Sequence, residues 1–173
     1  MEVDRLKIYF LEDDGNIPNN PDLPVLIYRE AVDHTENIEN VFHQNQWLNS
    51  WVNGIHDFHH YHSNAHEVLG VKEGEASVQL GGDKGVKVNV RKGDVVILPA
   101  GTGHKKLNSS HDFQVVGAYP DGTDYNMKEG TLTERPQVLI DIKQVPLPKL
   151  DPVYGDRGPV IKYWLQNKQR VKE

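Results

Sequence analysis

Short apolar runs separated by glycine-centred turns dominate the middle of the chain. Between residues 52 and 119, such runs alternate with turns like Gly81-Gly82-Asp83 and Lys92-Gly93-Asp94. Many short strands at even spacing, with no long helix between them, are typical of an antiparallel sandwich or barrel. The pattern predicts strands over Val52–His62, Glu67–Lys72, Glu75–Leu80, Val86–Val90, Val95–Leu98, Lys105–Leu107 and Phe113–Tyr119.

The flanking segments are less regular. Two further strands, Leu6–Leu11 and Val25–Arg29, surround a turn-rich stretch, and helical spacing over 36–48 predicts a helix with Thr35 as its N-cap. Towards the end of the chain we predict a strand over Val138–Val145 and a short helix over Pro159–Lys168. We therefore expect one all-β domain over residues 1–173. Its barrel core covers about 54–119, and segments 1–51 and 120–173 pack on it.

Composition narrows the functional classes. The chain has 173 residues, a formal net charge of −6 and no basic run longer than two residues, which disfavours nucleic acid and a polybasic membrane contact. The absence of cysteine excludes disulfides, Cys-ligated metals and a Cys nucleophile. No apolar run approaches the ~20 residues of a membrane helix. With no signal peptide visible, we expect a cytoplasmic protein.

The histidines suggest a metal site. Five of the nine lie between residues 56 and 66. In a strand, His60 and His62 project from one face, a returning strand can bring Glu67 opposite them, and His104 follows a Pro-x-Gly turn. Three neutral imidazoles and a carboxylate suit a divalent transition metal.

Other residues near this cluster leave alternatives open. His56 shares the inward face by register, and Lys106 alternates with His104, so these two are the candidates for a catalytic base. His66 is expected at the surface, although it competes for the metal if the turn is placed differently. Trp47, Trp51 or Phe58 could supply an apolar shell, and Tyr119 and Gln79 could line a pocket.

Two groups of residues in this region resemble the sequence motifs of the cupin family. The first motif reads Gly, five residues, His, one residue, His, three or four residues, Glu, six residues, Gly. Gly54, His60, His62, Glu67 and Gly74 stand at these spacings. The second reads Gly, five residues, Pro, one residue, Gly, two residues, His, three residues, Asn. Gly93, Pro99, Gly101, His104 and Asn108 match it. Segments such as 19–21, 47–51 and 118–122 are similar to YjlB-type cupins, a bacterial group of unassigned activity.

The resemblance implies a cupin double-stranded β-helix, a small jelly-roll barrel. It also implies four metal ligands, which carry over to His60, His62, Glu67 and His104. The metal would be one divalent ion: iron, manganese, nickel, cobalt or zinc. A homodimer is expected, with the strand at 6–11 as a segment that partners could exchange.

Three functions fit such a site. The first is a metal-dependent enzyme that acts on a small molecule, of oxygenase or of isomerase or lyase type. The second is a non-catalytic binding or sensing module whose metal organises the pocket. The third, a purely structural site, ranks last, because buried polar groups need partners and are a costly source of rigidity.

Overall fold

The computed structural model describes residues 5–166, which form two antiparallel sheets with short helices around them. The strands are β1 (Leu6–Tyr9), β2 (Val25–Tyr28), β3 (Trp47–Asn53), β4 (Glu67–Glu73), β5 (Glu75–Leu80), β6 (Val86–Arg91), β7 (Val95–Leu98), β8 (His104–Ser109) and β9 (Gln114–Pro120). The helices are α1 (Ile38–Gln44), α2 (Gln137–Gln144), a 3-10 turn at Leu132–Glu134 and a π-helical turn at Ile161–Gln166. None of the helices in residues 5–166 has the length and apolar character that crossing a membrane requires.

The two sheets differ in size and in how they are covered. The larger one has the order β1-β2-β7-β4-β9-β3, and the smaller one has the order β6-β5-β8. Apolar side chains fill the space between the sheets, with Leu69 and Val96 from the larger sheet meeting Val78 and Val88 from the smaller one. Two facing antiparallel sheets around an apolar interior confirm the predicted all-β barrel class.

The larger sheet is buried on both faces. In β7, Val96 and Leu98 face the other sheet, while Val95 and Ile97 pack with Phe42 of α1 on the outer side. Two covered faces explain why β2 and β7 are continuous apolar runs rather than alternating ones. The predicted strand Val95–Leu98 is confirmed at both ends.

Helix α1 lies close against β4 because Gly70 has no side chain. A Cβ atom there would come within 2.6 Å of the Ile38 side chain and 2.8 Å of the Phe42 ring. The predicted helix over 36–48 is too long at both ends. Asn37, rather than Thr35, is the N-cap, since its side chain accepts from the Asn40 backbone N–H. The chain leaves the helix at Gln44 so that Trp47 can begin pairing with β9.

The structure overturns two strand predictions. Residues 138–144 of the predicted strand Val138–Val145 belong to helix α2, where Val138 and Ile142 are four residues apart and both buried. A short apolar run does not by itself distinguish a strand from a helix. The strand predicted over Val52–His62 ends at Asn53. Strand β1 pairs with β2 of the same chain.

The C-terminal segment packs against the sheet. Trp164 and Val160 are fully buried with Val95 and Ile97. The Asp151 carboxylate accepts hydrogen bonds from the Tyr28 hydroxyl at 2.5 Å and the Val160 backbone N–H at 3.0 Å. The predicted helix at Pro159–Lys168 is a π-helical turn at Ile161–Gln166, and residues 167 and 168 lie outside the described residues.

Candidate metal centre

A cavity of about 260 Å³ opens at one end of the space between the sheets. Three buried side chains meet in its wall. One ligand atom from each of His62, Glu67 and His104 lies within 4.8 Å of the other two. The His62 Nε2 atom is 3.3 Å from Glu67 Oε2, and the His104 Nε2 atom is 3.3 Å from Glu67 Oε1. The structure therefore brings together three of the four residues that the sequence motifs indicate.

His60 lies beside this group. Its backbone forms two hydrogen bonds with that of His104, and the two imidazole rings are 4.0 Å apart between centroids. It lines the cavity with the other three residues but stands outside the cluster of ligand atoms within 4.8 Å. All four side chains share one wall.

The orientation of each imidazole is set by a backbone carbonyl. His60 Nδ1 donates to the Phe58 carbonyl at 2.9 Å, His104 Nδ1 donates to the Thr102 carbonyl at 3.0 Å, and His62 Nδ1 donates to the Asn126 carbonyl. Because a carbonyl oxygen only accepts, each Nδ1 carries the proton. In a neutral ring, Nε2 then presents a lone pair, as it does when histidine binds a metal.

With these tautomers, the three side chains present lone pairs that a cation can bind. Nε2 of His62 and Nε2 of His104 each face an oxygen of Glu67, so lone pairs face lone pairs in a buried space. The Oε1 atom of Glu67 has no hydrogen-bond partner among the described residues. A divalent ion or added protons would satisfy all three groups, and imidazole with carboxylate is a donor set that transition metals accept.

The pKa values of these side chains are shifted by burial and by one another's charge. Burial opposes ionisation of Glu67, yet His62 and His104 hold its pKa well below the usual range. Burial lowers the pKa of His62, but the carboxylate of Glu67 outweighs it and the net direction is upward. Burial and the nearby His104 lower the pKa of His60 to about 3. His60 is therefore neutral at physiological pH, the form that binds metals.

The loop that carries His60 and His62 is held by pairing on both sides. His60 pairs with His104, and Tyr61 pairs with Lys128 through reciprocal backbone hydrogen bonds of 2.9 Å. These two bridges replace the longer strand predicted over Val52–His62. The predicted alternation of side chains between the two faces is still present, because the Tyr61 ring packs away from the cavity against Ile17 and Val138.

Glu67 receives a second set of contacts that the sequence analysis missed. The Tyr119 hydroxyl donates to Glu67 Oε2 at 2.6 Å, and Trp51 Nε1 donates to the Tyr119 oxygen at 2.8 Å. The Trp51 ring lies across Gly117, where a Cβ atom would be 2.3 Å from it. Burial and the neighbouring Glu67 raise the pKa of Tyr119 far above its usual range, so the hydroxyl keeps its proton and remains a donor.

One stretch of loop, residues 121–130, forms part of the cavity wall and is called the 121–130 segment below. Tyr125 and Met127 line the cavity, and the Asn126 carbonyl accepts from His62. The Asn126 side chain also exchanges hydrogen bonds with the backbone and hydroxyl of Ser63. Because nothing in the local pattern of 121–130 marks it as a partner of the histidine loop, sequence reasoning assigned these residues no role.

The structure places the remaining candidates as follows. His56 lines the cavity near its opening, whereas Lys106 is a half-buried residue of β8 that is not among the cavity-lining residues. Trp51 lines the cavity, while Trp47 packs in the outer core. Gln79 turns away and donates to the Gly82 carbonyl.

The expectation that His66 lies at the surface is wrong. It is 2% exposed, packs against the Trp164 ring and accepts a hydrogen bond from the Ala100 backbone N–H. The π-helical turn at the end of the described chain covers it, which an analysis of its immediate sequence neighbours does not reveal. These contacts turn the ring towards Trp164 and Ala100.

This barrel, with two histidine-bearing motifs of which the first also carries a glutamate, is that of the cupin family, to which the chain belongs. The family model described as Cupin matches residues 52–133. The protein YjlB of Bacillus subtilis strain 168, described as uncharacterized, is 47% identical over 158 residues, covering 91% of this chain and 96% of that one. Most of the chain thus has a counterpart in that relative.

Solved structures of lower similarity also match parts of this chain. Acireductone dioxygenase from Bacillus anthracis, with a cadmium ion in its active centre, is 16% identical over 58% of this chain and 80% of its own, with a TM-score of 0.39. Procruciferin, an 11S globulin from Brassica napus, is 20% identical over 72% of this chain, with the same TM-score of 0.39. The chain spans 29% of the procruciferin chain.

Proposed function

We propose that this chain is a metal-binding cupin that holds one divalent transition metal ion through His60, His62, Glu67 and His104, and that it is an enzyme acting on a small molecule. The observation that carries the proposal is the set of buried lone pairs around Glu67, with every imidazole proton directed to a backbone carbonyl. A protein with neither a metal ion nor an added proton here would bury mutually repelling acceptors at a cost.

The protein's own residues prepare the site. The three carbonyls of Phe58, Thr102 and Asn126 fix the imidazole tautomers. Tyr119 holds one oxygen of Glu67, so the carboxylate is oriented before any ion arrives. A divalent ion supplies Lewis acidity there, and iron would add redox chemistry.

Catalysis would also need a group that moves a proton. Apart from the four ligands, His56 is the cavity-lining residue of the described chain best suited to act as a base, because Tyr119 is locked as a donor to Glu67. We propose His56 for that role. The reaction is then of oxygenase type with a redox metal, or of isomerase or lyase type with zinc or manganese.

A non-catalytic binding or sensing module is the second candidate. This candidate is favoured because Lys106 does not line the cavity. Few side chains that could act as an acid or a base therefore remain there. A His56→Ala variant that binds metal normally and retains full turnover of any identified substrate would remove His56 from the mechanism.

Metal content tests the proposal directly. Protein purified without an affinity tag should contain about one equivalent of a transition metal by mass spectrometry. Glu67→Ala and His104→Ala should lose it, whereas the exposed-site controls Glu36→Ala and His111→Ala should keep it. A wild-type protein that stays free of metal after reconstitution would refute the metal site.

We also propose that residues 1–173 form one domain that associates as a homodimer. The burial of Trp164 and Val160 against β7 supports the single domain. β1 lies at one edge of the larger sheet, which supports pairing between copies there. Sedimentation equilibrium measures the oligomeric state, and a monomer at all concentrations would contradict the dimer.

A further inference from the structure

The opening of the cavity is unusually apolar. The described residues include eight large hydrophobic side chains that are exposed, and four of them belong to this opening: Val52, Phe58, Tyr125 and Met127, here called the rim. Val52, Tyr125 and Met127 line the cavity, while Phe58 stacks on His56 with centroids 4.9 Å apart. Exposed apolar side chains gathered around one cavity mark a binding site rather than a random surface.

Flat rings form much of this wall. Tyr125 stacks on Tyr119 with centroids 4.2 Å apart and planes at 17°, and it remains 39% exposed. Trp51 adds a third ring, held in place by its hydrogen bond to Tyr119. Rigid aromatic faces bind another ring with little loss of side-chain entropy and favour offset or edge contacts with it.

Cations are missing from the cavity-lining residues of the described chain. No lysine or arginine lines the cavity, and its one carboxylate is Glu67. Arginine and lysine are the usual partners of phosphate and of multiple carboxylates. A phosphorylated or polyanionic ligand would therefore find no counter-charge here beyond a bound metal ion.

The size of the space limits the ligand further. The volume of about 260 Å³ falls below the roughly 300–1,000 Å³ of pockets that hold drug-sized molecules. One ring with a short substituent is what such a space accommodates.

We infer that the cavity binds a small aromatic ligand that carries a single metal-binding head group and no other charge. This inference rests on the proposed metal function for the head group, but the preference for the ring rests on the rim alone. The ring would lie against Tyr125 and Met127, with the head group directed towards His62, Glu67 and His104.

Three hydroxamic acids with one head group and different tails test the inference. Acetohydroxamic acid has a methyl tail, benzohydroxamic acid a phenyl tail, and 4-carboxybenzohydroxamic acid a charged aromatic tail. Binding is measured by calorimetry on zinc-loaded protein and by NMR shifts on metal-free protein. We expect the phenyl compound to bind about tenfold more tightly than the methyl compound in both forms, because its ring buries more apolar surface. The carboxylated compound should bind more weakly than the phenyl compound.

Variants of the rim connect the preference to these residues. Tyr125→Ala and Met127→Ala should each reduce the ratio of phenyl to methyl affinity severalfold. Leu132→Ala, at a residue 74% exposed outside the cavity, should leave it unchanged. Met127 is 43% exposed, so its variant tests the inference even if Tyr125→Ala does not fold.

The two proposals fail in different ways. Equal affinities for the phenyl and methyl compounds in zinc-loaded protein would overturn the aromatic preference and leave the metal site standing. A phenyl preference in metal-free protein, with no gain on adding zinc, would support the aromatic preference and refute the metal function. Tight binding of the carboxylated compound, equal to that of the phenyl compound, would also overturn the inference.

Discussion

Two buried carboxylates, Asp94 and Glu67, differ in what surrounds them. Asp94, fully buried after β6, accepts hydrogen bonds of 2.9 Å from the Arg29 guanidinium and from the backbone N–H groups of Glu30 and Arg91. Glu67, 2% exposed at the start of β4, accepts one from Tyr119 and otherwise faces two imidazole nitrogens.

The difference separates a carboxylate that stabilises the fold from one that we propose as a metal ligand. Asp94 is surrounded by donors that the chain itself supplies, so it stabilises the fold without any external group. Glu67 accepts a hydrogen bond from Tyr119 at one oxygen, but the carboxylate otherwise faces histidine nitrogens that are themselves acceptors. The groove beside Asp94 has a volume of about 910 Å³ and is larger than the cavity at Glu67, so size alone does not identify the site.

The largest effect on folding should come from Asp94→Asn. The amide replaces one oxygen with an N–H₂ group that faces donors, and Arg29 loses its charged partner. We expect a loss of about 3 kcal/mol in the free energy of unfolding, measured by urea denaturation. Asp22→Asn, at an exposed carboxylate, is the control and should cost under about 0.5 kcal/mol. Equal losses in the free energy of unfolding for the two variants would contradict the stabilising role assigned to Asp94.

Glu67→Gln should act in the opposite way. The amide oxygen takes the Oε2 position and still accepts from Tyr119, and the amide N–H₂ takes the Oε1 position and donates to the lone pair of His104. The metal-free variant should therefore be at least as stable as the metal-free wild type, while its metal affinity falls by about 100-fold or more, some 2.7 kcal/mol. Competition with a chromophoric chelator measures the affinity, with Glu36→Gln as the control. Unchanged affinity would show that Glu67 is not a ligand.

Tyr119→Phe should have a smaller effect on the same site. It removes the donor that orients Glu67 while the ring and its stacking on Tyr125 remain. Loss of such an outer contact typically lowers metal affinity about 10- to 100-fold. Tyr125→Phe is the control, since it removes a neighbouring hydroxyl that is not hydrogen-bonded to Glu67 in the described structure. If both variants bind metal equally well, the Tyr119 contact does not position Glu67.

The smallest effect concerns the ion pair that anchors residues after the 121–130 segment. Arg135 donates to both oxygens of Asp13, at 2.6 and 2.8 Å. The hydrogen bonds from Arg135 hold the pKa of Asp13 below its ordinary value of 3.8. Because the folded-state pKa is lowered, this stabilisation is present above about pH 4 and is lost as the pH falls through the folded value.

Asp13→Asn tests this anchor. The pair is partly exposed, so we expect a loss of about 0.5 kcal/mol at pH 7 that is smaller at pH 3. Urea denaturation at the two pH values measures it, with the exposed Asp156→Asn as the control. A loss that persists unchanged at pH 3 would contradict the assigned role of the carboxylate.

The sequence predicted the parts of the site that depend on local spacing. The motif positions pointed to Glu67, His62 and His104, which the structure places together, and the apolar run Val95–Leu98 predicted β7 at both ends. Such features are encoded within a few residues, since strand alternation and turn chemistry act locally.

Features that depend on distant segments escaped prediction. His66 is buried because Trp164, almost a hundred positions later, packs on it. Asn126 meets His62 although the two are 64 positions apart. The apolar residues of α2 fit a strand as well as a helix until Val138 packs against Tyr61 and Ile17. Tertiary contacts decided each case.

The metal dependence of thermal unfolding tests the central claim most directly. Wild-type protein is stripped with a chelator and compared with Glu67→Gln, with and without a divalent metal at about 100 times its Kd. The claim predicts a rise of about 5 °C or more for the wild type on adding metal. The variant should unfold at or above the temperature of metal-free wild type and should not respond. A wild type that does not respond, or a variant that rises equally, would contradict the claim.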